Sequence, residues 1–392
     1  MKRLFLIVLS TSIPIFLPAQ ERIQKSSNMF RPSDTVLKQQ VEYKHPGIKG
    51  EDVFWDFGKL KTIDSQYSVR YNHLTSDTST IVGIEHQTRY YYTLRGDSLL
   101  LMGYENPNIK MKYSKPELLL RYPMALGDSI QCCYGGSGRF CDKLDITSFG
   151  SSKSIVDGYG MLILPNTDTL RHVVRVHTVK LISEKISATD VSDTLKNLAS
   201  IYSLSPISIQ NRIDSDSVVL VVDTYRWYAA GYRYPVFETV TTDNLRDKGK
   251  TSYFSTAFYY PPKSHDYLTS DEINKKIQER LEKDNQAYKE KQKNKGGHHS
   301  IMDEMKFRYN YYPNPVQTSL TFEYYLSKSA ELLFELYTLD GVLVYHTKPE
   351  KTQQGAHLQQ IDMSRYPVGT YILSIRTNGE TYSEKNYKEI KL

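Results

Sequence analysis

Short apolar runs separated by turn signals dominate residues 21–262 of the chain. Residues 90–94 and 98–101 flank Arg95-Gly96-Asp97, which predicts a hairpin, and a second hairpin is predicted at Gly160. Longer β-type runs rich in Val and Thr follow. Strands so close together leave no room for crossover helices, so the sheet should be mainly antiparallel. A two-sheet sandwich or an open barrel would bury the apolar side chains of this alternating pattern.

The pattern changes between residues 264 and 305. Thr269 and Glu272 fit a capping box, which predicts the start of a helix. One narrow apolar stripe then recurs at helical spacing among charged residues, formed by Ile273, Ile277 and Leu281. Residues 291–299, with two glycines and two histidines, are typical of a flexible linker. We therefore predict a short charged helical linker.

Residues 306–392 have the most regular alternation. Leu320, Phe322 and Tyr324 alternate with polar residues, and Asp340-Gly341 predicts a tight turn because glycine accepts a positive φ. About seven short strands in about eighty residues are typical of a small immunoglobulin-like β-sandwich. The predicted fold class is thus mainly β, with an antiparallel β-rich N-terminal domain, the helical linker and this C-terminal sandwich.

The N-terminus has the order of a secretory signal peptide. Two basic residues precede a largely apolar stretch at residues 4–17, and Ala19 and Gln20 then offer a cleavage point. A membrane anchor is the alternative, but the stretch is shorter than the roughly 20 residues that span a bilayer. We expect a signal peptide at residues 1–19 and cleavage between Ala19 and Gln20.

Length and composition restrict the remaining possibilities. A chain of 392 residues favours two domains, and 32 tyrosines favour strands. The net charge of +6 is modest, and basic residues do not gather in a stripe with interleaved aromatics, which argues against nucleic-acid binding. We expect no cofactor.

Three cysteines lie close together in sequence. In an oxidising compartment, a disulfide from Cys132 or Cys133 to Cys141 is expected, across a predicted turn at residues 134–138. Cys133 with Cys141 is the candidate pair, and the choice between the two neighbouring cysteines stays open. No histidine lies near enough in sequence to favour a metal site.

No arrangement of residues predicts catalysis. The chain lacks a Gly-x-Ser-x-Gly elbow. Arg171, Arg175 and His177 share a strand face, which would suit an anion, although we favour the solvent-exposed side of a half-buried strand. Carboxylates for glycoside chemistry cannot be recognised from spacing, so Glu85, Glu105, Asp145 and Glu238 are not excluded.

The C-terminal region carries several turn motifs in a fixed order. They are Tyr312-Pro313-Asn314-Pro315, Asp340-Gly341, then Pro367, Gly369 and Tyr371, and finally the basic residues Lys385 and Lys388. In this order, behind a signal peptide, the motifs closely resemble the type A C-terminal sorting domain of the type IX secretion system of Bacteroidetes. The resemblance covers residues 306–392.

This resemblance implies an export pathway. The chain would pass through the periplasm, and the outer-membrane translocon would read the folded sorting domain. A sortase would cut the linker near residues 296–305 and attach the payload to lipopolysaccharide on the cell surface. None of the sorting-domain residues is expected to be catalytic.

The payload, residues 20–263, more loosely resembles uncharacterised exported proteins of Bacteroidetes. Residues 53–57, 158–165, 170–176 and 225–228 carry this likeness, which implies no activity. A tyrosine-rich β surface suits recognition, so we expect a surface-displayed binding or structural module with an unknown ligand. The alternatives are a secreted hydrolase that acts on glycan or peptide, and a part of the secretion or surface-layer apparatus.

Overall fold

A computed structural model describes residues 22–188, 205–246, 253–294, 307–377 and 379–389. The predicted signal peptide and its cleavage site at Ala19 and Gln20 lie outside these ranges, as does the expected linker cut at residues 296–305. The structure is mainly β, with 61% strand and 11% helix, as the alternation predicts.

The N-terminal part forms one large sheet. Its strands are β1 Thr35–Val41, β2 Gly50–Asp56, β3 Thr62–Leu74, β4 Asp77–Glu85, β5 Thr88–Arg95, β6 Ser98–Glu105, β7 Ile109–Arg121, β8 Ser129–Phe140, β9 Leu144–Ile163, β10 Thr169–Ala188, β11 Leu220–Ala229, β12 Phe237–Asn244 and β13 Phe254–Tyr259. Helix α1 spans Lys25–Asn28, and helix α2 spans Pro206–Ser215. The hairpin predicted at Gly96 joins β5 to β6, with Arg95 opposite Ser98.

Twelve of these strands close into a barrel-like ring in the order β10-β11-β12-β13-β1-β3-β4-β5-β6-β7-β8-β9, because β9 also pairs with β10. Each pairing in the ring is antiparallel. Strand β2 lies outside the ring and pairs with β9 in parallel, beyond the point where β8 stops. A closed ring replaces the expected sandwich or open barrel, since nothing in the local alternation reveals which strands far apart in sequence will pair.

The hairpin predicted at Gly160 is wrong. Strand β9 runs unbroken through this residue, and the chain turns only after Ile163, at residues 164–168. A Cβ atom on Gly160 would collide with the backbone of Val53 in β2. The glycine therefore serves the close approach of two strands and makes no turn.

Aromatic side chains close one end of the ring. Residues 22–34 cross this end, and Phe30 stacks on Tyr71 with ring centroids 4.7 Å apart and meets Tyr92 edge-on at 4.9 Å. Tyr71 in turn stacks on Tyr234 at 5.2 Å. Tyr234 donates a hydrogen bond to the buried Asp34 at 2.9 Å, so its buried hydroxyl group has a partner. We call this aromatic cluster of Phe30, Tyr71, Tyr92 and Tyr234 the Phe30 plug.

The C-terminal part contains two smaller sheets. Its strands are β14 Arg308–Tyr312, β15 Ser319–Leu326, β16 Ala330–Thr338, β17 Leu343–His346, β18 Glu350–Thr352, β19 Gly355–Asp362, β20 Gly369–Thr377 and β21 Glu380–Lys388. One sheet has the order β14-β15-β19, and the other has β17-β16-β20-β21 with β18 also on β16. Both contribute to one apolar core, in which Phe322 from the first sheet meets Phe334 from the second. An immunoglobulin-like topology stays a prediction.

Helix α3, Glu272–Asn294, follows the ring and lies on it through polar side chains. Asp271 forms a buried ion pair with Arg233 at 2.6 Å, and Asn274 donates to the carbonyl of Ser27 at 2.9 Å. Asp271 also accepts from the backbone N–H of Asn274, whereas Thr269 donates to Asp266, so the predicted capping box is wrong. Within the described residues, no helix has the length and apolar character that crossing a membrane requires.

Candidate functional site

The interior of the ring is a cavity of about 530 Å³. Along each strand, side chains point alternately into and out of the ring. Val36 and Lys38 of β1 therefore both face inward, as do Thr224 and Arg226 of β11. The cavity volume lies in the range of small-molecule sites. We call this cavity the lumen, and it is the candidate functional site of the payload.

Three ion pairs line the lumen. Lys38 contacts Glu85 at 2.5 Å, and Arg226 contacts Glu238 at 2.5 Å. The third pair joins Lys180 to the fully buried Glu117 at 2.7 Å. The six groups come from six different strands, and their formal charges cancel.

The ion pairs influence one another across the lumen. Burial acts to raise the pKa of Glu238, but Arg226, Lys38 and Lys180 outweigh it and lower that pKa below its ordinary value. The Lys38 ammonium also lies 3.9 Å from the ring centroid of Phe258, a cation–π contact. The lumen is therefore lined by preorganised ion pairs whose formal charges sum to zero.

Tyrosines complete the wall between the ion pairs. Tyr67 and Tyr90 line the lumen towards the end opposite the Phe30 plug, near the turn at His86 that joins β4 to β5. Burial and the neighbouring Glu85 raise the pKa of Tyr90, so it remains a neutral hydrogen-bonding group. Half-exposed Phe254 and partly exposed Glu85 mark this end as the mouth.

Sequence reasoning found little of this site. Glu85 and Glu238 are among the carboxylates that it could not exclude, whereas Lys38, Lys180 and Arg226 were not singled out. A signal did exist, because Lys38 and Arg226 occupy the same alternation as apolar residues on their strands. No group of three or more histidine, cysteine or acidic residues suited to a metal lies in the described ranges.

Arg175 does not lie on the solvent-exposed side of its strand. Its side chain is 1% exposed and forms a bidentate ion pair with Asp157 at 2.7 and 2.9 Å. Its guanidinium carbon is 5.1 Å from the ring centroid of Trp55. His177 shares a strand face with Arg175 as predicted, since both side chains contact Asp157 and Tyr225. A bulge between Leu170 and Val173 separates Arg171 from that face.

The expected disulfide is wrong, because all three cysteines are free. Cys133 lies within β8, and Cys141 follows the end of the same strand, which separates them by about 25 Å of extended chain. A disulfide needs Cα atoms within about 7 Å. The glycine-rich segment 134–138 is part of strand β8 and makes no turn. Its glycines permit a close approach to β7, since Cβ atoms on Gly136 and Gly138 would collide with the β7 backbone.

The sorting-motif residues occupy two separate regions of the C-terminal part. Asn314 clamps the last strand, donating to the carbonyl of Lys385 at 3.1 Å and accepting from the N–H of Tyr387 at 2.9 Å. The neighbouring motif residues are Tyr312 at the end of β14 and Pro313 and Pro315 in the following loop. Lys388 is buried and donates to the carbonyl of Gln317, while Lys385 is exposed.

The other motif residues gather at a distal tip. The Asp340-Gly341 turn and the loop at Pro367 are neighbours, since Thr338 pairs with Tyr371. Tyr371 donates to the carbonyl of Pro367 at 2.8 Å, and Gly369 begins β20. We define the tip by its exposed apolar side chains, which are Leu339, Val342, Leu343 and Val368.

Comparison with known proteins identifies the C-terminal part. Residues 310–389 match the family model of the secretion system C-terminal sorting domain, and this range contains the motif residues from Tyr312 to Lys388. No curated protein matches the chain. A domain of this kind implies handling by the type IX secretion machinery and a cell-surface or secreted location. The match of residues 310–389 to the secretion system C-terminal sorting domain thus supports the assignment of this chain as a cargo protein of the type IX secretion system.

Proposed function

We propose that this chain is a surface-displayed binding protein whose lumen takes a small neutral saccharide. The preformed, charged and tyrosine-lined lumen is the single observation that carries this proposal. Export of the payload follows from the sorting domain. The binding reaction is the part of the proposal that requires a test.

The balance of charge in the lumen favours an uncharged ligand. A singly charged ligand would leave one buried charge without compensation, which is costly in a desolvated site. A hydroxyl group both donates and accepts, so it bridges a pair such as Lys180 and Glu117 without separating it. The apolar face of a sugar ring would meet the faces of Tyr67 or Tyr90.

The same geometry favours binding over hydrolysis. A glycosidase acid needs a raised pKa so that it holds its proton at neutral pH. In the lumen, Arg226 and two lysines lower the pKa of Glu238, and Lys38 engages Glu85. Glu238 is therefore unsuited to the role of this acid, and Glu85 and Glu117 are each held in an ion pair with a lysine.

The export route is proposed to follow the family. The signal peptide at residues 1–19 would take the chain to the periplasm of a Bacteroidetes cell, with cleavage between Ala19 and Gln20. The translocon would then export it, and a sortase would cut in residues 296–305 and attach the payload to lipopolysaccharide. On this view the payload is residues 20–263, the linker is residues 264–305, and residues 306–392 form an immunoglobulin-like sorting domain.

Isothermal titration of the signal-free chain with neutral disaccharides, amino acids and dipeptides tests the proposal. We expect saturable binding of at least one disaccharide. The double variant Lys180→Met with Glu117→Gln should abolish it, because the variant removes both charges without leaving one unpaired. Lys153→Met, an exposed β9 lysine, is the matched control and should bind as the wild type does.

Each outcome of the titration is decisive. Disaccharide binding that survives the double variant would place the ligand outside the lumen and contradict the proposal. Binding of amino acids or dipeptides alone would overturn the ligand class. Release of monosaccharide during the titration would favour the hydrolase.

A further inference from the structure

We propose that the sorting domain is docked on the payload as an intramolecular complex, and that cutting the linker does not by itself separate the two parts. A sorting tag on a flexible linker would be expected to present all of its faces. Here one side of the sorting domain, around β14 and β15, is covered by payload residues 44–54. We call this contact the docking interface.

An ion pair lies at the centre of the docking interface. Lys44 of the payload contacts Glu323 of the sorting domain at 2.5 Å, and Tyr312 donates to the same carboxylate oxygen at 2.9 Å. Glu323 is only 4% exposed. Separation of the two parts would remove the cation that compensates this carboxylate, so the pair opposes dissociation while the parts are docked.

Backbone and aromatic contacts surround the ion pair. The N–H of Ile48 donates to the buried Asn310 side chain at 2.7 Å, and the His45 ring stacks on Tyr312 with centroids 5.3 Å apart. Ile48 also packs against both the payload core and the sorting-domain core. At the rim, Arg308 contacts the exposed Asp52 at 3.0 Å. The interface thus has a desolvated centre and a polar rim, as stable interfaces do.

Strand β2 offers the sorting domain an apolar anchor. Val53 and Trp55 point into the payload core, so Phe54 points to the opposite face of the strand. On that side its ring lies 5.9 Å from Tyr325, and the side chain is fully buried. Without the sorting domain, this large side chain would lose that aromatic cover.

The payload holds its side of the interface rigidly. Arg175 donates to the carbonyls of Pro46 and Gly47 at 2.6 and 3.3 Å, and its other nitrogens are fixed by Asp157. The Trp55 indole N–H donates to the carbonyl of Ile48 at 3.3 Å. Because these buried groups fix the loop, docking loses little conformational entropy.

Docking affects which parts of the sorting domain the export machinery can reach. The payload packs against Tyr312 and covers the adjoining Glu323, whereas the tip at the Asp340-Gly341 turn remains exposed. The tip is therefore open to a partner of the docked chain, as are the exposed residues Asn314 and Pro315. A partner that contacts Glu323 must first displace the payload.

The test places a protease site between Gly296 and Gly297 of the signal-free chain and follows the cut protein by size-exclusion chromatography and native mass spectrometry. We expect both fragments to travel together at micromolar concentration. Lys44→Glu should weaken the complex by about 30-fold or more, because it sets two carboxylates against each other. Adding Glu323→Lys should restore the association.

Lys49→Glu is the matched control, since this exposed lysine lies in the same loop and should not alter association. Circular dichroism of each separated fragment shows whether loss of binding reflects unfolding. Wild-type fragments that separate while folded would overturn the proposal. So would a complex that Lys44→Glu weakens no more than Lys49→Glu does, because the interface would then lie elsewhere.

Discussion

At the residue scale, Arg175 shows that the environment of a charged side chain decides its role. It shares a strand with His172 and His177, yet it is buried between Trp55 and Trp227 and fully paired. Its role is to bind Asp157 and to hold the loop that carries the docking interface. No external anion is needed to explain it.

Removal of the Arg175 charge should therefore destabilise the protein. Arg175→Met leaves Asp157 buried without its partner, so we expect the free energy of unfolding to fall by about 3–5 kcal/mol. The double variant with Asp157→Asn should recover much of this loss, because it leaves no lone charge. Urea denaturation followed by tryptophan fluorescence measures both, and a single variant within about 1 kcal/mol of wild type would contradict the argument.

His45 should make docking sensitive to pH. Burial, and then the Arg175 charge, lower the pKa of His45 to about 4 against the opposing effect of Asp223. The N–H of Gly47 donates to Nδ1 of the ring, which requires that nitrogen unprotonated. The docked form therefore resists protonation.

Loss of the Tyr312 contact should raise the pKa of His45 in the separated payload from about 4 towards its ordinary value of about 6.5, although Arg175 and the Gly47 N–H remain beside the ring. The separated payload therefore takes up a proton more readily than the docked form does. Docking is thus strongest above pH 6.5 and weakens as the pH falls towards 4. Between pH 7.5 and 5, the dissociation constant of the cut complex should rise by up to about 25-fold. His45→Gln is the control, and an equal pH dependence in that variant would assign the effect to another group.

At the element scale, helix α3 illustrates attachment through polar contacts. The predicted apolar stripe begins at Ile273, but this side chain is 45% exposed, while the next residue, Asn274, is fully buried. Asn274 and Gln278 bind backbone carbonyls of Ser27 and Gly231. The first turns of the helix are therefore held against the payload by hydrogen bonds.

The tip of the sorting domain is an exposed apolar surface that a partner can reach. Replacing Leu339 and Val342 with glutamate should reduce the amount of protein at the cell surface several-fold, because it places charge where a partner would bury apolar area. Folding should be little affected, as both side chains are exposed. Immunoblots of surface and periplasmic fractions measure the outcome.

Leu358→Glu provides the matched control for the tip. This leucine is similarly exposed, at 54%, but lies on β19 in the other sheet. Equal amounts of the tip variant and the control at the cell surface would show that the export machinery does not recognise the tip. A fall in thermal midpoint of the tip variant would assign any loss of export to unfolding.

At the scale of the whole molecule, the structure connects two parts that are separate segments of the sequence. The lumen of the payload and the tip of the sorting domain lie in different parts, and the docking interface connects those parts. Export through the sorting domain is supported by the family match, whereas the lumen suggests what is exported. The saccharide titration and the cleavage experiment test these assignments separately.

The sequence by itself determined the local structure of several segments and, through the order of its C-terminal motifs, the identity of the sorting domain. Alternation predicted the β5–β6 hairpin, most of β10 and β11, and the Asp340-Gly341 turn, because side-chain periodicity and turn chemistry act over a few residues. The order of the C-terminal motifs predicted the sorting domain that residues 310–389 match. These features need no knowledge of distant contacts.

Only the tertiary structure decided closure of the ring, the lumen and the docking interface. Pairing of β9 with β10 and of β13 with β1 joins the sheet into a ring, and the latter pairing joins residues more than 200 positions apart. Lys38 and Glu85 become a pair only when that ring brings their strands together. The free cysteines have the same cause, since a glycine-rich segment became a strand through its fit against β7. Long-range packing has no local signature, and it alone joined the charged side chains of distant strands into ion pairs inside the lumen.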